Sequence, residues 1–414
     1  MVLRLPGLAA LAGGMRILLV TETLLAGGAE TFVLRLANAL AANHEVTIAV
    51  LHGELTNEAL AAKVDAGVGV ERLTLPAKRL LFKLDSLVRR LGLDWSVIRT
   101  LQHRWLAALV QRSRPDVIHS HLLKADWAAS DIRAAYPAIR HVITLHGDYA
   151  PFIQAQADPQ MLGLERRMKA IIDGADAIAA ICRAQVDWVA KTFPQAGAKT
   201  ELIYNGFAPW GARSQRDFEE GAGPLVFGMV SRGVEQKGWA KAIAAFGTLP
   251  RGLAELVLVG EGPFLDTLRS APLPDGVRFT GFSADPLDWI ERFDVGLLPS
   301  EFPHESLPTV VMEYLFCGKP VIATDVGEIA EMLRTPGGGQ AGTLLDFAYG
   351  RISIGQLAAA MRAYLEDQAL RRGHAALAPA AFAKFDMAQC AAAYARLYGE
   401  VGGEAINSAT RSSH

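Results

Sequence analysis

Short apolar segments alternate with helix-like patterns from residue 16 almost to the end of the chain. In the first half, six apolar runs have the length of a strand, with helical stretches between most of them. These runs span residues 16–22, 45–51, 116–120, 141–145, 177–181 and 201–204. A strand followed by a helix, repeated in this way, predicts a parallel sheet with helices on both faces, which is an α/β fold.

The second half of the chain repeats this pattern after a break. Residues 208–223 are mostly charged or small and have neither helical nor strand periodicity, which is typical of a connection between domains. Six further strands are predicted beyond it, at residues 225–231, 255–260, 277–281, 294–299, 320–324 and 343–345. We therefore predict two Rossmann-like, doubly wound domains, 15–205 and 206–385, followed by a C-terminal helical segment, 386–401. Parallel sheets bind ligands at the carboxyl ends of their strands, so we expect an interdomain cleft to hold the ligand.

The composition is that of a globular protein and excludes several classes. Hydrophobic residues make up 51% and charged residues 20% of the 414 residues, and the net charge of −2 gives no reason to expect a nucleic-acid partner. Three widely spaced cysteines form neither a zinc pattern nor a disulfide framework, which indicates a reducing, cytoplasmic environment. No segment has the roughly 20 apolar residues that a membrane span needs. Residues 1–14 run directly into the first strand, so we expect an extension there, or a natural start at Met15, rather than an export signal.

The most informative stretch of the sequence is LLPSEFPHESLPTVVMEYLFCGKPVIATDVGE, residues 297–328. Ser306 is suited to cap a helix and Pro308 to occupy its first turn, and a glycine and a proline would end that helix after about ten residues. Free amide groups at the start of the helix, around Leu307 to Thr309, act together with the helix dipole. They predict an anion site that suits a phosphate.

Two glutamates in this stretch have a spacing that suits an elongated ligand. Glu305 lies just before the predicted helix and Glu313 two turns along it, so one carboxylate cannot serve both positions. Carboxylates accept hydrogen bonds from paired hydroxyls. We predict that Glu305 binds sugar hydroxyls and Glu313 ribose hydroxyls, with the diphosphate held between them. On spacing alone, the alternative is a pair of solvated glutamates.

The combination of residues in this stretch resembles the signature of glycosyltransferase family 4, also called group 1. The matching residues are Pro299, Ser300, Glu305, Leu307, Pro308, Glu313, Gly318, Pro320 and Val321. The resemblance implies the GT-B fold, retention of the anomeric configuration, and a C-terminal helix that packs back on the first domain. It also implies that Glu305 contacts the donor sugar and Glu313 the nucleoside ribose. Tyr314, Leu315 and Phe316 stand where smaller residues are common in the family, which we expect to affect helix packing more than binding.

A second segment, Gly228–Arg232 followed by Lys237 and Gly238, matches the same family. Here the resemblance implies that Arg232 and Lys237 bind the donor diphosphate. A departing nucleoside diphosphate gains negative charge, which needs either a divalent cation or fixed side-chain cations. The sequence has no Asp-x-Asp motif, so we predict that these two residues replace a metal ion. We expect no cofactor, with the nucleotide-diphosphate sugar as co-substrate; solvated loop charges are the alternative.

Glycine-containing loops follow one strand in each domain. Gly27 and Gly28 follow the first strand, and the resemblance places such a loop next to the donor phosphate or the acceptor, a tight turn being the alternative. Glu261 and Gly262 follow a strand of the second domain and are predicted to line the nucleoside pocket. The chain has no Gly-x-Gly-x-x-Gly motif, which argues against a nicotinamide cofactor.

Three histidines lie at the ends of neighbouring predicted strands. His146 resembles the family histidine near the sugar and the acceptor, so we predict that it orients the reacting hydroxyl or donates a hydrogen bond; a structural histidine is the alternative. His119 and His121 end the preceding strand and are candidates to line the same cleft. No acidic partner pattern lies near them, so no zinc site is expected.

Residues 76–114 combine basic and apolar side chains. Nine of these residues are basic and two acidic, with leucines, a phenylalanine and tryptophans interleaved. Basic amphipathic helices of this kind bind anionic lipid. We expect this segment to dock on the inner face of the plasma membrane and to present a lipid-linked saccharide acceptor. An ordinary solvated face over a buried apolar stripe is the alternative.

The sequence thus predicts a metal-independent glycosyltransferase of the hexosyltransferase type. It would move a sugar from a nucleotide-diphosphate donor to a hydroxyl of a saccharide or lipid-linked saccharide, in bacterial surface polysaccharide or lipopolysaccharide biosynthesis. We expect it in the cytoplasm and peripheral to the membrane. Two alternatives remain, a nucleotide-sugar epimerase of the same fold and a non-catalytic subunit that binds the nucleotide sugar.

Overall fold

The computed structural model describes residues 14–25, 27–75, 78–91, 95–147, 164–215 and 223–411, without the side chains of residues 78, 89, 164–166 and 401–411. The expectation for residues 1–14 concerns a segment that lies outside these ranges except for its last residue. Parts of the basic segment and of the predicted interdomain connection, residues 76–77, 92–94 and 216–222, also lie outside them.

The chain divides into two compact units, each built on one parallel sheet. The first unit comprises Met1–Ile181, Gln185–Gly206 and Met387–His414, and the second comprises Cys182–Ala184 and Phe207–Asp386. The first unit therefore takes its last helix from the C-terminal end of the chain.

The sheet of the first unit has seven strands in the described residues, in the order β3-β2-β1-β4-β5-β6-β7. They are β1 (Arg16–Thr21), β2 (Glu45–Val50), β3 (Val68–Arg72), β4 (Val117–His121), β5 (Arg140–Leu145), β6 (Ala177–Ala180) and β7 (Thr200–Leu202). The central strands are buried almost throughout, because helices cover both faces of the sheet. Strand β3 was not predicted; it lies at the edge, and only Val68 in it is buried, so its apolar signal is weak.

The sheet of the second unit repeats this arrangement with six strands, in the order β10-β9-β8-β11-β12-β13. They are β8 (Leu225–Val230), β9 (Ala254–Val259), β10 (Val277–Gly281), β11 (Val295–Leu298), β12 (Val321–Thr324) and β13 (Gly342–Leu345). In both sheets the chain builds outward from a central strand and then returns to its other side. The reversal falls between β1 and β4 in the first sheet and between β8 and β11 in the second, and ligands bind at such switch points in open α/β sheets.

Helices connect most of the strands. Those of the first unit are α1 (Gly28–Leu40), α2 (Glu58–Ala61), α3 (Lys78–Arg90), α4 (Val97–Ser113), α5 (Leu123–Ala135), α6 (Leu164–Gly174), α7 (Arg183–Thr192, which begins in the second unit), α8 (Pro194–Gly197) and α16 (Met387–Arg411). Those of the second unit are α9 (Trp239–Phe246), α10 (Pro263–Arg269), α11 (Leu287–Ile290), α12 (Thr309–Phe316), α13 (Ile329–Leu333), α14 (Ile354–Glu366) and α15 (Gln368–Phe382). Within the described ranges, none of these helices has both the length and the apolar character of a membrane span.

Helix α16 is part of the first unit and runs further than the sequence indicated, to Arg411. Two of its own tyrosines, Tyr394 and Tyr398, lie about one helical turn apart and are fully buried. The hydroxyl of Tyr398 forms a 2.7 Å hydrogen bond with His119 Nδ1 on β4, and Arg140 Nη1 donates to the Tyr398 carbonyl at 2.8 Å. Helix α16 is thus fixed to the sheet of the first unit by hydrogen bonds as well as by apolar packing.

Candidate functional site

Two loops meet at the switch point of the second sheet, at the carboxyl ends of β8 and β11. The β8 loop is residues 231–238 and the β11 loop is residues 299–308. Gly238 has a φ of +82°, and a Cβ atom there would overlap the carbonyl oxygen of Pro299, so the two backbones approach as closely as only glycine allows. The amide of Glu301 donates to the carbonyl of Gln236 at 2.7 Å. The two loops therefore form one connected structure.

An ion pair between Lys237 and Glu305 joins the same two loops. Lys237 Nζ donates to Glu305 Oε1, and Ser300 Oγ donates to the same oxygen at 3.0 Å. The lysine side chain is 13% exposed and the glutamate side chain 9%, so the pair is shielded from most of the solvent. Two of the predicted site residues are therefore in direct contact, an arrangement that the sequence did not indicate.

A second lysine–glutamate pair lies beside the first and is tied to the backbone. Lys241 Nζ pairs with Glu301 and donates to the carbonyl of Ile352 at 2.8 Å. The amide of Ile352 donates to Glu301 Oε1 at 2.8 Å. This pair anchors the segment after β13 to the β11 loop. It therefore has a structural role and offers a comparison for the Lys237–Glu305 pair.

The loop after β12 holds the backbone of Glu305 and Ser306. Gly327 has a φ of +61°, and a Cβ atom there would overlap the carbonyl oxygen of Glu305. The amide of Glu328 donates to the carbonyl of Ser306 at 3.1 Å. Lys237 and Ser300 therefore hold the carboxylate of Glu305, and the loop after β12 holds its backbone.

Arg232 and Glu261 lie on adjoining loops and are both exposed. The amide of Gly233 donates to the carbonyl of Glu261 at 2.7 Å, which joins the β8 loop to the loop after β9. Trp239 Nε1 donates to the carbonyl of Arg232 at 3.0 Å. The backbone of Arg232 is therefore held in place while its guanidinium faces solvent.

Helix α12 starts later than predicted, which changes the role of Ser306. The N-cap residue of α12 is Pro308, with extended dihedral angles and no side-chain cap, and the helix covers Thr309–Phe316. The predictions that Ser306 caps this helix and that Pro308 lies in its first turn were wrong, because the backbone is still extended at Pro308. Leu307 is buried in front of the helix, and Glu313 is buried within it.

The glycine loop of the first unit leads directly into α1. Gly27 is the N-cap residue, with an extended φ of −114°, and Gly28 is the exposed first residue of the helix. The carbonyl of Gly27 accepts hydrogen bonds from the amide and the hydroxyl of Thr31, at 3.0 and 2.7 Å. The loop therefore presents the start of a 13-residue helix at the switch point of the first sheet.

The three histidines predicted at the ends of neighbouring strands lie together in the first unit. His121, the last residue of β4, and His146, which follows β5, are joined by a 2.9 Å hydrogen bond between His121 Nδ1 and His146 Nε2. The His119 ring packs on His121 with ring centroids 4.0 Å apart, and its Nε2 bonds the hydroxyl of Thr144 at 2.7 Å. His119 and His121 are fully buried, so the expectation that they line a cleft was wrong; His146 is only half-buried.

Burial keeps these imidazoles neutral. It lowers the pKa of His146 below the ordinary value for histidine. Burial, reinforced by repulsion from the neighbouring histidines, lowers the pKa values of His119 and His121 well below that value. None of the three rings is therefore charged near neutral pH.

Comparison with protein families gives the class of the enzyme. The family model described as Glycosyltransferase Family 4 matches residues 26–209, and the model described as Glycosyl transferases group 1 matches residues 224–367. The chain belongs to glycosyltransferase family 4. It is therefore a transferase, and the family resemblance of its sequence is confirmed.

Solved structures show that this family 4 glycosyltransferase has the GT-B fold. Anabaena HepE in complex with UDP matches 93% of this chain and 100% of its own length, with a TM-score of 0.70 and 20% identity. Sucrose-phosphate synthase of Thermosynechococcus elongatus matches 94% of this chain and 100% of its own length, with a TM-score of 0.68 and 21% identity. The prediction of two Rossmann-like parallel sheets of the GT-B type is thus confirmed.

Curated relatives of the glycosyltransferase match shorter stretches. N-acetyl-alpha-D-glucosaminyl L-malate synthase of Bacillus anthracis is 35% identical over 85 residues, 20% of this chain and 22% of the relative. An uncharacterised glycosyltransferase of Methanocaldococcus jannaschii is 25% identical over 267 residues, 58% of this chain and 66% of the relative. These matches thus span less than two thirds of the length of each relative.

Two residues to which the sequence assigned no site role support the candidate site of this glycosyltransferase. Ser300, fully buried, is the second donor to Glu305. Tyr314 on α12 is also fully buried, and its hydroxyl accepts from the amide of Val230 at 3.0 Å and donates to the carbonyl of Leu297 at 3.2 Å. Tyr314 therefore ties together the ends of β8 and β11, the strands that carry the two site loops. A polar residue directly after an apolar strand was the available signal for Ser300; Tyr314 gave none, because its partners are backbone atoms.

Proposed function

We propose that this glycosyltransferase binds a nucleotide-diphosphate sugar at the carboxyl edge of the second sheet and transfers the sugar to a hydroxyl with retention of configuration. The observation that carries the proposal is the contact of Lys237 and Ser300 with Glu305, next to the start of α12. Support for the donor class comes from Anabaena HepE, which has been solved in complex with UDP and with UDP-glucose.

In this proposal, fixed cations balance the charge of the diphosphate. Lys237 is held on the β8 loop by its ion pair and Arg232 is exposed on the same loop. The first amides of α12, at Thr309 and Val310, have no partner in the preceding turn of the helix and add positive potential. Groups that are already in position need little reorganisation when negative charge develops on the leaving diphosphate, which is how such groups accelerate a reaction.

The two carboxylates bind hydroxyls at the two ends of the donor. Glu305 lies before α12 and accepts from the sugar, and Glu313 lies within α12 and accepts from the ribose. Glu305 already has Lys237 and Ser300 as donors, so its carboxylate is oriented before the sugar arrives.

The chemical step exchanges one bond at the anomeric carbon for another on the same face. The bond from the anomeric carbon to the leaving phosphate oxygen breaks, and its electron pair stays with the diphosphate. The acceptor hydroxyl forms the new bond, and its proton passes to that phosphate oxygen. His146 in the first unit orients the reacting oxygen atoms by hydrogen bonding, because a neutral imidazole can donate or accept but carries no charge to compete with the diphosphate.

The diphosphate is proposed to bind without a metal ion. The charge compensation in this proposal comes from Arg232, Lys237 and the amides of α12.

Incubation with a panel of UDP-, GDP- and ADP-sugars tests the activity directly. We expect one donor to raise the unfolding temperature, since a ligand that binds the folded state stabilises it by mass action, and the same donor to glycosylate an added saccharide or lipid-linked acceptor. An isomerised donor without transfer, or binding without turnover, would contradict the proposal.

Helix α3 supports a membrane surface as the location of the acceptor. Leu80, Leu84, Leu87 and Leu91 recur at helical spacing and are 57%, 39%, 54% and 67% exposed. The opposite face holds Asp85, which is buried. The leucines form an uncovered apolar surface among the described residues, whereas α4, in the same basic segment, buries Ile98, Leu106, Leu109 and Val110.

Asp85 attaches α3 to the rest of the first unit. Its carboxylate accepts hydrogen bonds from Ser96 Oγ at 2.5 Å and from the amide of Val97 at 2.7 Å, at the start of α4. Lys83 and Arg90 are exposed on the same helix as the leucines. An apolar stripe with flanking cations fits the interface of an anionic bilayer, and we propose that α3 docks there beside a lipid-linked acceptor.

Vesicle sedimentation tests this docking surface. At low salt we expect the full chain to bind vesicles that contain phosphatidylglycerol, and to bind phosphatidylcholine vesicles at least 10-fold more weakly, because each cation near an anionic surface contributes about 1 kcal/mol. The double variant Leu84→Asn/Leu87→Asn should lose this binding. Leu253→Asn, which changes an exposed leucine of the second unit, is the matched control and should keep it. Equal binding by both variants would overturn the proposal.

A further inference from the structure

The His121–His146 hydrogen bond has a defined direction of donation. Both rings are neutral, so only one of the two facing nitrogens, His121 Nδ1 and His146 Nε2, carries the shared proton. Each neutral imidazole holds its proton on one nitrogen only. The direction of this bond therefore decides which nitrogen of His146 is a donor.

The surroundings of His121 Nε2 favour one direction. This nitrogen is buried and has no hydrogen-bond partner among the described residues. If His146 donated, His121 would carry its proton on Nε2, as a buried N–H group without an acceptor. If His121 donates, Nε2 keeps only a lone pair, and buried acceptors are left unsatisfied more often than buried N–H donors.

We propose that His121 donates its Nδ1 proton to His146 Nε2 and so holds His146 as the Nδ1–H tautomer. His146 Nε2 is then occupied as an acceptor, and Nδ1 is the nitrogen that remains for a ligand. On the proposed function, His146 therefore donates a hydrogen bond to a substrate oxygen and does not act as a base. His121 is a positioning residue, since it acts on the substrate only through His146.

Packing around the pair keeps both rings in this arrangement. Phe32 on α1 contacts the His146 ring edge-on, with centroids 5.5 Å apart, and the His121 ring at 6.2 Å. On the other side His121 packs on His119, whose ring is fixed by hydrogen bonds to Thr144 and to Tyr398 of α16. A rotation of either ring would require these neighbours to move, so the tautomer is set by the folded structure.

Nitrogen NMR on the full chain tests the tautomer without reference to activity. With ¹⁵N-labelled histidine, long-range correlations distinguish an N–H nitrogen from one with a lone pair, and the His146 signals are identified by their absence in His146→Asn. We expect Nδ1–H for His146 in the wild type and in His121→Asn, whose amide supplies an N–H near the position of Nδ1. The His121→Leu variant should lose this preference. An Nε2–H tautomer in the wild type, or an unchanged tautomer in His121→Leu, would overturn the proposal.

Kinetics of the same variants test the consequence for transfer. His121→Leu should lower kcat by about 10-fold to 100-fold, as loss of a group that orients a site ligand commonly does, with KM for the donor nearly unchanged. His121→Asn should recover most of the rate. The matched control is His141→Leu, which removes another buried histidine of the same sheet, bonded to Ser120 at 2.8 Å, and should keep kcat within about 3-fold.

The positioning role of His121 and the proposed transfer activity can be refuted separately. Equal losses of kcat in His121→Leu and His141→Leu would refute the positioning role. If the wild type transferred no sugar from any donor, the proposed function would fail, whereas the NMR measurement would still decide the direction of the hydrogen bond.

Discussion

The Glu305→Gln variant should transfer sugar about 100-fold to 1000-fold more slowly than the wild type, a loss typical of removing one oriented polar group from an active site. Glutamine has nearly the same volume as glutamate and can still accept from Ser300, so the fold should be preserved. The substitution removes the negative charge that holds Lys237 in place. It also weakens the acceptor that we propose for the sugar hydroxyls. Steady-state kinetics with the preferred donor measure the effect.

Glu301→Gln is the matched control for this prediction. Glu301 lies on the same loop and pairs with Lys241 in the same way, but its other partner is the backbone of Ile352. We expect kcat to stay within about 3-fold of the wild type and any cost to appear in stability. Comparable loss of kcat in both glutamine variants would mean that loop structure, and not the charge of Glu305, supports transfer.

The Tyr314→Ala variant should destabilise the second unit by about 4 kcal/mol, the usual cost of truncating a large buried aromatic residue. The ring is fully buried against Gly296, where even a Cβ atom would overlap it, and the hydroxyl bonds the backbone of β8 and β11. The variant leaves a cavity and removes the acceptor of the Val230 amide. Urea unfolding followed by tryptophan fluorescence measures the change.

Two further variants separate packing from hydrogen bonding in this result. Tyr314→Phe keeps the ring and should cost about 1 to 3 kcal/mol, since the partly buried amide of Val230 loses its partner. Tyr349→Ala truncates a fully exposed tyrosine of the same unit and should change the free energy of unfolding by less than about 0.5 kcal/mol. If Tyr314→Ala were no more destabilising than Tyr349→Ala, Tyr314 would not be part of the core.

Most of the fold could be predicted from the sequence because parallel strands buried on both faces are nearly continuous apolar runs. Strands such as β8 and β11 were predicted to within one or two residues for this reason. The edge strand β3 was missed, since Gly69 and the charged residues Glu71 and Arg72 dilute its apolar signal. Helix α12 was predicted too long at its start, because a proline fits both an N-cap and a first turn, and only the backbone angle decides between them.

The sequence predicted which residues belong to the candidate site, but it did not predict the contacts between them. The sequence placed Glu305 and Lys237 in one ligand site but gave no sign that they pair, because the two loops meet only when β8 and β11 lie side by side. His121 was a candidate to line a cleft, and its bond to His146 depends on the alignment of β4 with β5. Contacts of this kind follow from strand order, which no local pattern encodes.

We propose that fixed side chains and helix amides of the second unit balance the donor diphosphate without a metal ion. The test is the rate of transfer from the preferred donor without additions, in excess EDTA, and after magnesium or manganese is added back. We predict the same rate under all three conditions. A rate that is lost in EDTA and returns with either ion would contradict the account.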